Sequence, residues 1–369
     1  MKSKATGSLI PVLGGTGALF ALAGLLHVGL VNASSISWED YNRESVQADI
    51  LPAYQQLATE AEQLATAATT LCQAPDRSRL EDTRQAFVDT LDAWQHISHV
   101  QFGPVQFLMR NYAIQYWPDR KGIGRRQLQA ALQLPADTPY DDEFFHQASI
   151  SIKGLPALEQ LLYREDALSA LQGPGRDCQL TQAIANNVAQ MTQGIYQDWQ
   201  QGYEQMLTAS SDADDDEAVS DIPELSVDLM KSLVEPIELI RDTKLRAVMG
   251  RGPEASYPHR AENWMSGRSL ANIRANIEAA QRLYLGDEAG LDNLLRQAGQ
   301  APLADQISRQ FEQIRHQLEP LGDSLSVALE QHYATLGELT DALKALNTSL
   351  NDAMLALNVQ LGFNSRDGD

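Results

Sequence analysis

Basic residues are scarce in this 369-residue chain: 28 Lys and Arg stand against 49 Asp and Glu, a net charge of −21. So large an acidic excess argues against nucleic acid and against anionic lipid surfaces as partners. It is compatible with cationic ligands or metal ions, although an acidic surface is most often simply a solvated one. Cysteine is scarcer still, with only Cys72 and Cys178. Two cysteines with no histidine at ligand spacing make a weak zinc site, so the first expectation is a disulfide between them in an oxidising compartment. It would close a loop of roughly 100 residues and contribute about 3–4 kcal/mol. The common nucleophile and phosphate patterns are missing: there is no G-x-S-x-G, no H-E-x-x-H, no Walker-type loop and no cysteine beside a histidine. That counts against an enzyme without deciding the matter. Runs of alternating β-branched residues bounded by turns are also absent.

What is present begins with an address. Lys2 and Lys4 precede an apolar stretch from Leu9 to Leu30, and Val31-Asn32-Ala33 fits a small-residue cleavage site before Ser34. The stretch contains Pro11 and five glycines, and no stop-transfer charges follow it, which favours cleavage over a membrane anchor. No cysteine lies near the cut, so a lipid anchor is not available. Residues 1–33 are therefore read as a signal peptide. The mature chain is expected to be exported and soluble, in the periplasm of a cell with two membranes. Loss of Lys2 and Lys4 from the 28 basic residues leaves 26 against 49 acidic ones, a net charge of −23.

The rest is helical in period almost throughout. Leu336, Leu339, Leu343, Leu346, Leu350, Met354, Leu357 and Leu361 alternate steps of three and four, one apolar stripe on a long helix. Similar patterns run over 47–71, 80–99, 181–207, 227–249, 269–285 and 302–318. The chain reads as all-α, built of antiparallel helices. The acidic stretch Ser210-Ser211-Asp212-Ala213-Asp214-Asp215-Asp216-Glu217 reads as part of a solvated linker over 210–223. Its carboxylates at 212, 214 and 216 have the spacing of a calcium loop, but no glycine follows at 217 and Pro223 stands where the loop needs a glutamate. The linker parts the mature chain into expected helical bundles over 34–209 and 224–369.

Each half carries one irregular segment rich in Gly, Pro and aromatics. The first contains Trp94, Gln95, Gly103, Pro104, Arg110, Trp117 and Asp119, residues that suit a pocket wall in which aromatics supply area and ions supply orientation. The competing reading makes the aromatics core and Asp119 the cap of the next helix. His96 and His99 are three apart and could face a metal together, but two histidines alone are not a site. The second segment contains Glu262, Ser266, Arg268 and Ser269. Ser266 or Ser269 could cap the helix that follows. Arg268 near that helix start opposes its dipole, which suggests pairing with Glu159, Glu262 or a bound anion, or else exposure to solvent. Between these segments, Gly154 and Pro156 open a helix in which Glu159 falls beside Leu155, Leu158, Leu161 and Leu162. A carboxylate on an apolar face requires a partner.

These residues together resemble the imelysin-like family of exported bacterial proteins, often iron-regulated and historically grouped with peptidases. The resemblance rests on Phe102-Gly103-Pro104, Trp117-Pro118-Asp119, the 154–163 segment, Glu262-Asn263-Trp264 with Ser266-Gly267-Arg268-Ser269-Leu270, and the terminal stretch 361–369. It implies two helical bundles with a site between them. The family signature is G-x-H-x-x-E. Gly154 and Glu159 match it, but Pro156 occupies the histidine position, as in the branch that carries G-x-P-A-x-E. A proline neither ligates a metal nor moves a proton. The expectation is therefore a non-catalytic protein that binds a metal ion, iron or another, or a small ligand between its halves, with a membrane-bound uptake partner as a further candidate. Glu159, Arg110, Asp119, Glu262 and Arg268 are expected to converge on the pocket. The alternative is a metal-assisted hydrolase with Glu159 and His96 or His99 as ligands. A third, structural reading makes Glu159 only a buried partner of an arginine in the helix interface.

Overall fold

Helices account for nearly every regular element of the computed structural model, which describes residues 35–208 and 222–359. Among those residues there is no β-strand, and the chain is all-α. The first half runs α1 (Trp38–Glu44), a π-helical turn (Ser45–Ile50), α2 (Leu51–Gln73), α3 (Arg77–Ile97), α4 (Arg110–Ile114), α5 (Ile123–Leu132), α6 (Asp142–Gln147), α7 (Leu155–Tyr163), α8 (Ala167–Gln172) and α9 (Asp177–Thr208). The second runs α10 (Glu224–Glu238), a second π-helical turn (Leu239–Arg246), α11 (Ala247–Met249), α12 (Ser269–Leu285), α13 (Leu291–Gln297), α14 (Ala301–Leu318), α15 (Leu325–Gln331) and α16 (Tyr333–Ala356). The expected signal peptide at 1–33, positions 210–221 of the expected acidic linker, Leu361 and the terminal 361–369 stretch lie outside the described residues.

The long helices form where apolar residues recur every three or four positions. On α2 these are Tyr54, Leu57, Ala61, Leu64, Ala68 and Leu71, all buried. Each such leucine stabilises the fold by about 1.5–3 kcal/mol. Ala74-Pro75 ends that helix, and Asp76 starts the next by accepting the Arg79 backbone N–H at 2.9 Å. The short turn makes α2 and α3 antiparallel neighbours, and α9 packs along α2. On α16 the stripe from Leu336 to Met354 is buried as expected, against α14 and α10. The helix α12 lies on α3 and joins the two groups. Together the described residues from Ile36 onward form one compact unit. Among the described residues no helix is long and apolar enough to cross a membrane.

One expected helix differs. The 227–249 pattern is not a single α-helix: Pro236 lies inside α10, and the chain then loosens into the π-helical turn before α11. Proline has no N–H for the carbonyl four residues back, so the α-helical ladder is interrupted there.

Cys72, near the end of α2, and Cys178, at the start of α9, form a disulfide that spans 106 residues of sequence. The link fastens the two helices that pack most extensively in this half. Replacing both cysteines by serine is expected to lower the free energy of unfolding by about 3–4 kcal/mol, seen as a lower urea midpoint with the native helical signal retained. A midpoint equal to that of the oxidised protein would contradict this role.

Candidate functional site

Gly154 sets the position of α7. A Cβ there would fall on the carbonyl oxygens of Ala113 and Ile114, so glycine alone lets α7 abut the end of α4. Pro156 then occupies the first turn, where its missing N–H costs no hydrogen bond. Gln115, the next residue after α4, is brought beside the second irregular segment. Its Nε2 donates to Glu262 Oε1 at 3.0 Å and to Asn263 Oδ1 at 2.9 Å.

From Gln115 a buried polar string runs in both directions. Lys244, on the π-helical turn after α10, donates to Glu262 Oε2 at 2.7 Å, to Gln95 Oε1 at 3.0 Å and to Asn276 Oδ1 at 2.7 Å. All three ammonium protons are used. Lys244 is 4% exposed and Glu262 5%, so this is an ion pair withdrawn from water. Asn276 returns its amide to the Gln95 carbonyl at 2.7 Å and to Ser98 Oγ at 3.2 Å. Asn272, one turn before it on α12, donates to Glu262 Oε2 at 3.0 Å and to Asn263 Oδ1 at 2.9 Å. Ser269 Oγ donates to the Glu262 carbonyl at 2.7 Å. Asn263 sits at φ 49, a left-handed backbone that asparagine tolerates better than most residues. Its side chain is held on both ends, and its Nδ2 reaches Glu159 Oε2 at 3.3 Å.

The string ends at Glu159, whose Oε1 accepts from the Ser266 backbone N–H at 2.9 Å and from Ser266 Oγ at 2.6 Å. Its two carboxylates are tuned in opposite directions. Burial alone would raise Glu262, but the Lys244 charge and the bonds from Lys244, Asn272 and Gln115 outweigh it and hold the carboxyl below its usual range. Burial pushes Glu159 up to about 7; hydrogen bonds from Ser266 and Asn263 offset only part of this, and the nearby Glu262 charge adds to it. The Ser266 hydroxyl has one proton and two acceptors in reach, Glu159 Oε1 and the Asn263 carbonyl at 3.1 Å. With Glu159 ionised the proton points to Glu159. With Glu159 protonated, its O–H can donate to Ser266 Oγ while the serine proton turns to Asn263. The site therefore accommodates both states.

A cavity of about 640 Å³ lies against this string. One wall is the end of α3 and the 98–118 segment, with Trp94, His99, Phe102, Tyr112 and Trp117. The other is α10 and its π-helical continuation, with Asp228, Glu235, Leu239 and Lys244. Glu262, Gln115 and Asn276 reach it from the string, so the two irregular segments do meet. Trp117 Nε1 also bridges them by donating to the Arg260 carbonyl at 3.2 Å. Gly103, at φ 67, and Pro104 turn the first segment. His99 is buried, and burial first, then the Arg282 and His96 charges, pushes its imidazole down to about 3.

Several expected residues are engaged elsewhere. Asp119 accepts the backbone N–H groups of Ile123 at 2.8 Å and Gly124 at 2.7 Å, the helix-capping role. Arg110 pairs with Asp198 on α9 at 2.5 Å. Arg268 pairs with Asp323 at 2.9 Å and approaches Asp92 at 3.8 Å, not Glu159 or Glu262. His96 contacts the Asp92 carbonyl at 2.9 Å and Glu278 at 3.5 Å. Among the described residues no three His, Cys, Asp or Glu side chains are grouped to hold a metal ion, so Glu159, His96 and His99 do not come together as a ligand set. Sequence reasoning missed Lys244, Gln115, Asn272 and Asn276. Asn272 and Asn276, one turn apart among Leu270, Ile273 and Ile277, were the available signal, since buried asparagines require partners.

Over residues 50–351 the sequence matches the imelysin family model. The chain belongs to the imelysin family. It is 27% identical over 323 residues to iron-regulated protein A of Synechococcus elongatus, covering 84% of this chain and 83% of that protein. Its fold is similar to an imelysin-like protein from Psychrobacter arcticum 273-4, with TM-score 0.73, 19% identity, and coverage of 89% of this chain and 100% of that one. A structure from Parabacteroides distasonis, provisionally assigned as an iron-regulated protein A precursor, gives TM-score 0.63 at 13% identity over 88% of this chain and 97% of that one. In this family member the glutamate of the 154–163 segment is bound by Ser266 and Asn263, and Pro156 opens its helix.

The Glu159 environment has a thermodynamic signature. Folding raises this carboxyl from the ordinary 4.5 to about 7, so the folded state holds the proton more tightly than the unfolded chain. Its contribution is then greatest below pH 4.5 and declines as pH rises to 7, by about 3 kcal/mol in all. Comparing urea unfolding of the wild type and Glu159→Gln across that window should show a smaller loss with rising pH in the variant. Parallel profiles would mean that Glu159 titrates normally.

Proposed function

We propose that this family member is an exported binding protein with an iron-linked role, and that its ligand is a small molecule held in the cavity between the 98–118 segment and α10. The observation that carries this reading is the cavity itself, of about 640 Å³, within the range of small-molecule sites and walled by aromatics beside a fixed polar string. Two of its lining residues each keep a buried polar atom without a partner, Gln115 Oε1 and His99 Nδ1. Such atoms cost about 1–3 kcal/mol unless a ligand or water meets them. The iron link rests on the relative called iron-regulated protein A. Export is supported by the leader-like residues 1–33 and by the structural neighbour described as a precursor.

The donor set does not fit a protein-bound iron centre. Glu262 is committed to Lys244, Glu159 to Ser266 and Asn263, and among the described residues no group of three or more His, Cys, Asp or Glu side chains could hold a metal ion. The hydrolase reading is weaker for a related reason. Glu159 has the raised pKa of a general base, but it does not line the cavity.

Tyr112 lines the cavity while 56% exposed, so its removal should leave folding largely intact. Ligands found by thermal-shift screening of the wild type are expected to bind Tyr112→Ala about fivefold to tenfold more weakly, the worth of one aromatic contact. Ligands that bind Tyr112→Ala and Leu239→Ala as well as the wild type would place recognition elsewhere and overturn the proposal.

A further inference from the structure

We infer that the face carrying the tip of the 103–112 segment docks this protein on an anionic phospholipid bilayer. The first support is where the exposed apolar side chains lie. Phe107, Leu108, Met109 and Tyr112 are all exposed within six residues, and Tyr257 and Trp264 are exposed on the second irregular segment. Elsewhere among the described residues only Leu285, Val327 and Leu355, distant from one another in sequence, are comparably exposed. Leu108 and Met109 also sit at φ 56 and φ 57, a left-handed backbone that residues other than Gly, Asn and Asp seldom adopt. Leu108 is 83% exposed, so no burial within the chain offsets that strain. The turn presents three consecutive apolar side chains to the outside, the shape of a tip that enters another apolar medium.

The second support is continuity. Met109, Tyr112 and Trp117 border the same cavity. Trp117 donates to the Arg260 carbonyl, Arg260 stacks on the Tyr257 ring at 4.0 Å, and His259 packs against Trp264. The apolar tip thus passes into a zone of indole and phenol rings. Such rings, with an apolar body and a polar end, favour the boundary between lipid hydrocarbon and water. Because Met109 and Tyr112 border the cavity, docking by this face brings the cavity mouth to the bilayer.

The third support is charge. Between Asp92 and Asp137 the sequence holds one carboxylate, Asp119, and it is committed to the Ile123 and Gly124 amides. Directly after it stand Arg120, Lys121, Arg125 and Arg126, all exposed. Arginines elsewhere face acids, as Arg43, Arg164 and Arg241 do. None of these four cations has an ion-pair partner among the described residues, and Arg126 reaches only the Lys121 carbonyl. The acidic excess that argued against anionic lipid belongs to the whole chain, whereas at physiological salt charges act over only about 8 Å. On the facing cavity wall Asp228, Glu238 and Glu262 have Lys231, Arg241 and Lys244 beside them. Lipid phosphates complement the four free cations. Among the described residues no helix could cross a membrane, so the contact these residues make is peripheral.

The test is co-sedimentation of the mature protein with two kinds of vesicle, phosphatidylcholine alone and an equimolar mixture of phosphatidylcholine and phosphatidylglycerol. The expected result is binding to the mixed vesicles at least about tenfold more tightly than to phosphatidylcholine, weakened by added salt. Leu108→Asp should weaken binding to the mixed vesicles about tenfold or more while the protein stays folded, because aspartate tolerates a left-handed backbone and the site is exposed. Replacing Arg125 and Arg126 together by glutamine should weaken binding to the mixed vesicles several-fold and leave phosphatidylcholine binding unchanged. Leu355→Asp, on an exposed position of α16 outside the patch, should bind like the wild type. Equal affinity for the two vesicles, or wild-type binding by Leu108→Asp, would overturn the inference. Failure to bind either vesicle would overturn it too and leave this face to a protein partner.

Discussion

The buried pair of Lys244 and Glu262 is the interaction on which the rest of the site depends. At 2.7 Å and almost fully withdrawn from water, neither partner could remain charged without the other. The desolvation cost of such a pair is large, and it is offset here because the remaining ammonium protons and both carboxylate oxygens are satisfied by Gln95, Asn276, Asn272 and Gln115. Those partners come from α3, α12 and the first irregular segment, while Glu262 itself belongs to the second. A group that must be satisfied from several directions fixes several elements at once, and that gives the cavity a defined wall.

The signature-like segment acquires a physical meaning in this setting. Gly154 is required by the close approach of α7 to the α4 carbonyls, and that approach positions Gln115. Glu159 does not line the cavity; it is a buried structural partner, but of Asn263 and Ser266 and not of the arginine that the structural reading expected. Pro156 costs nothing at that position, because the work of this segment is done by a glycine that permits contact and a glutamate that receives three bonds. The raised pKa of Glu159 and the two acceptors of the Ser266 hydroxyl make this the one end of the string that tolerates a change of protonation, whereas Glu262 is held ionised by Lys244.

Much of the scaffold was legible in the sequence because helical burial has a local period. The stripe on α16, the start of α12 at Ser269 and the extent of α14 follow from steps of three and four. The disulfide was legible because only two cysteines exist. The site was legible only in part. Glu159 and Glu262 announced themselves as acids in unusual places, but their partners lie far away in sequence, with Ser266 separated from Glu159 by 107 positions. Asp119, Arg110 and Arg268 looked equally functional, since a charged residue beside a helix breaker reads the same whether it caps a helix, pairs with a neighbour or meets a ligand. Lys244 was hidden in an apolar helical pattern, where a long amphipathic side chain fits without disturbing the period.

The central claim is that one buried ion pair holds the two irregular segments together and thereby shapes the cavity. Hydrogen exchange on Lys244→Met tests it most directly, because this change leaves Glu262 buried without its counter-charge. The account predicts that amides in 98–118 and 257–268 lose protection together, while those of α2 and α9 keep theirs. Loss confined to one segment, or an even loss across the whole molecule, would contradict it.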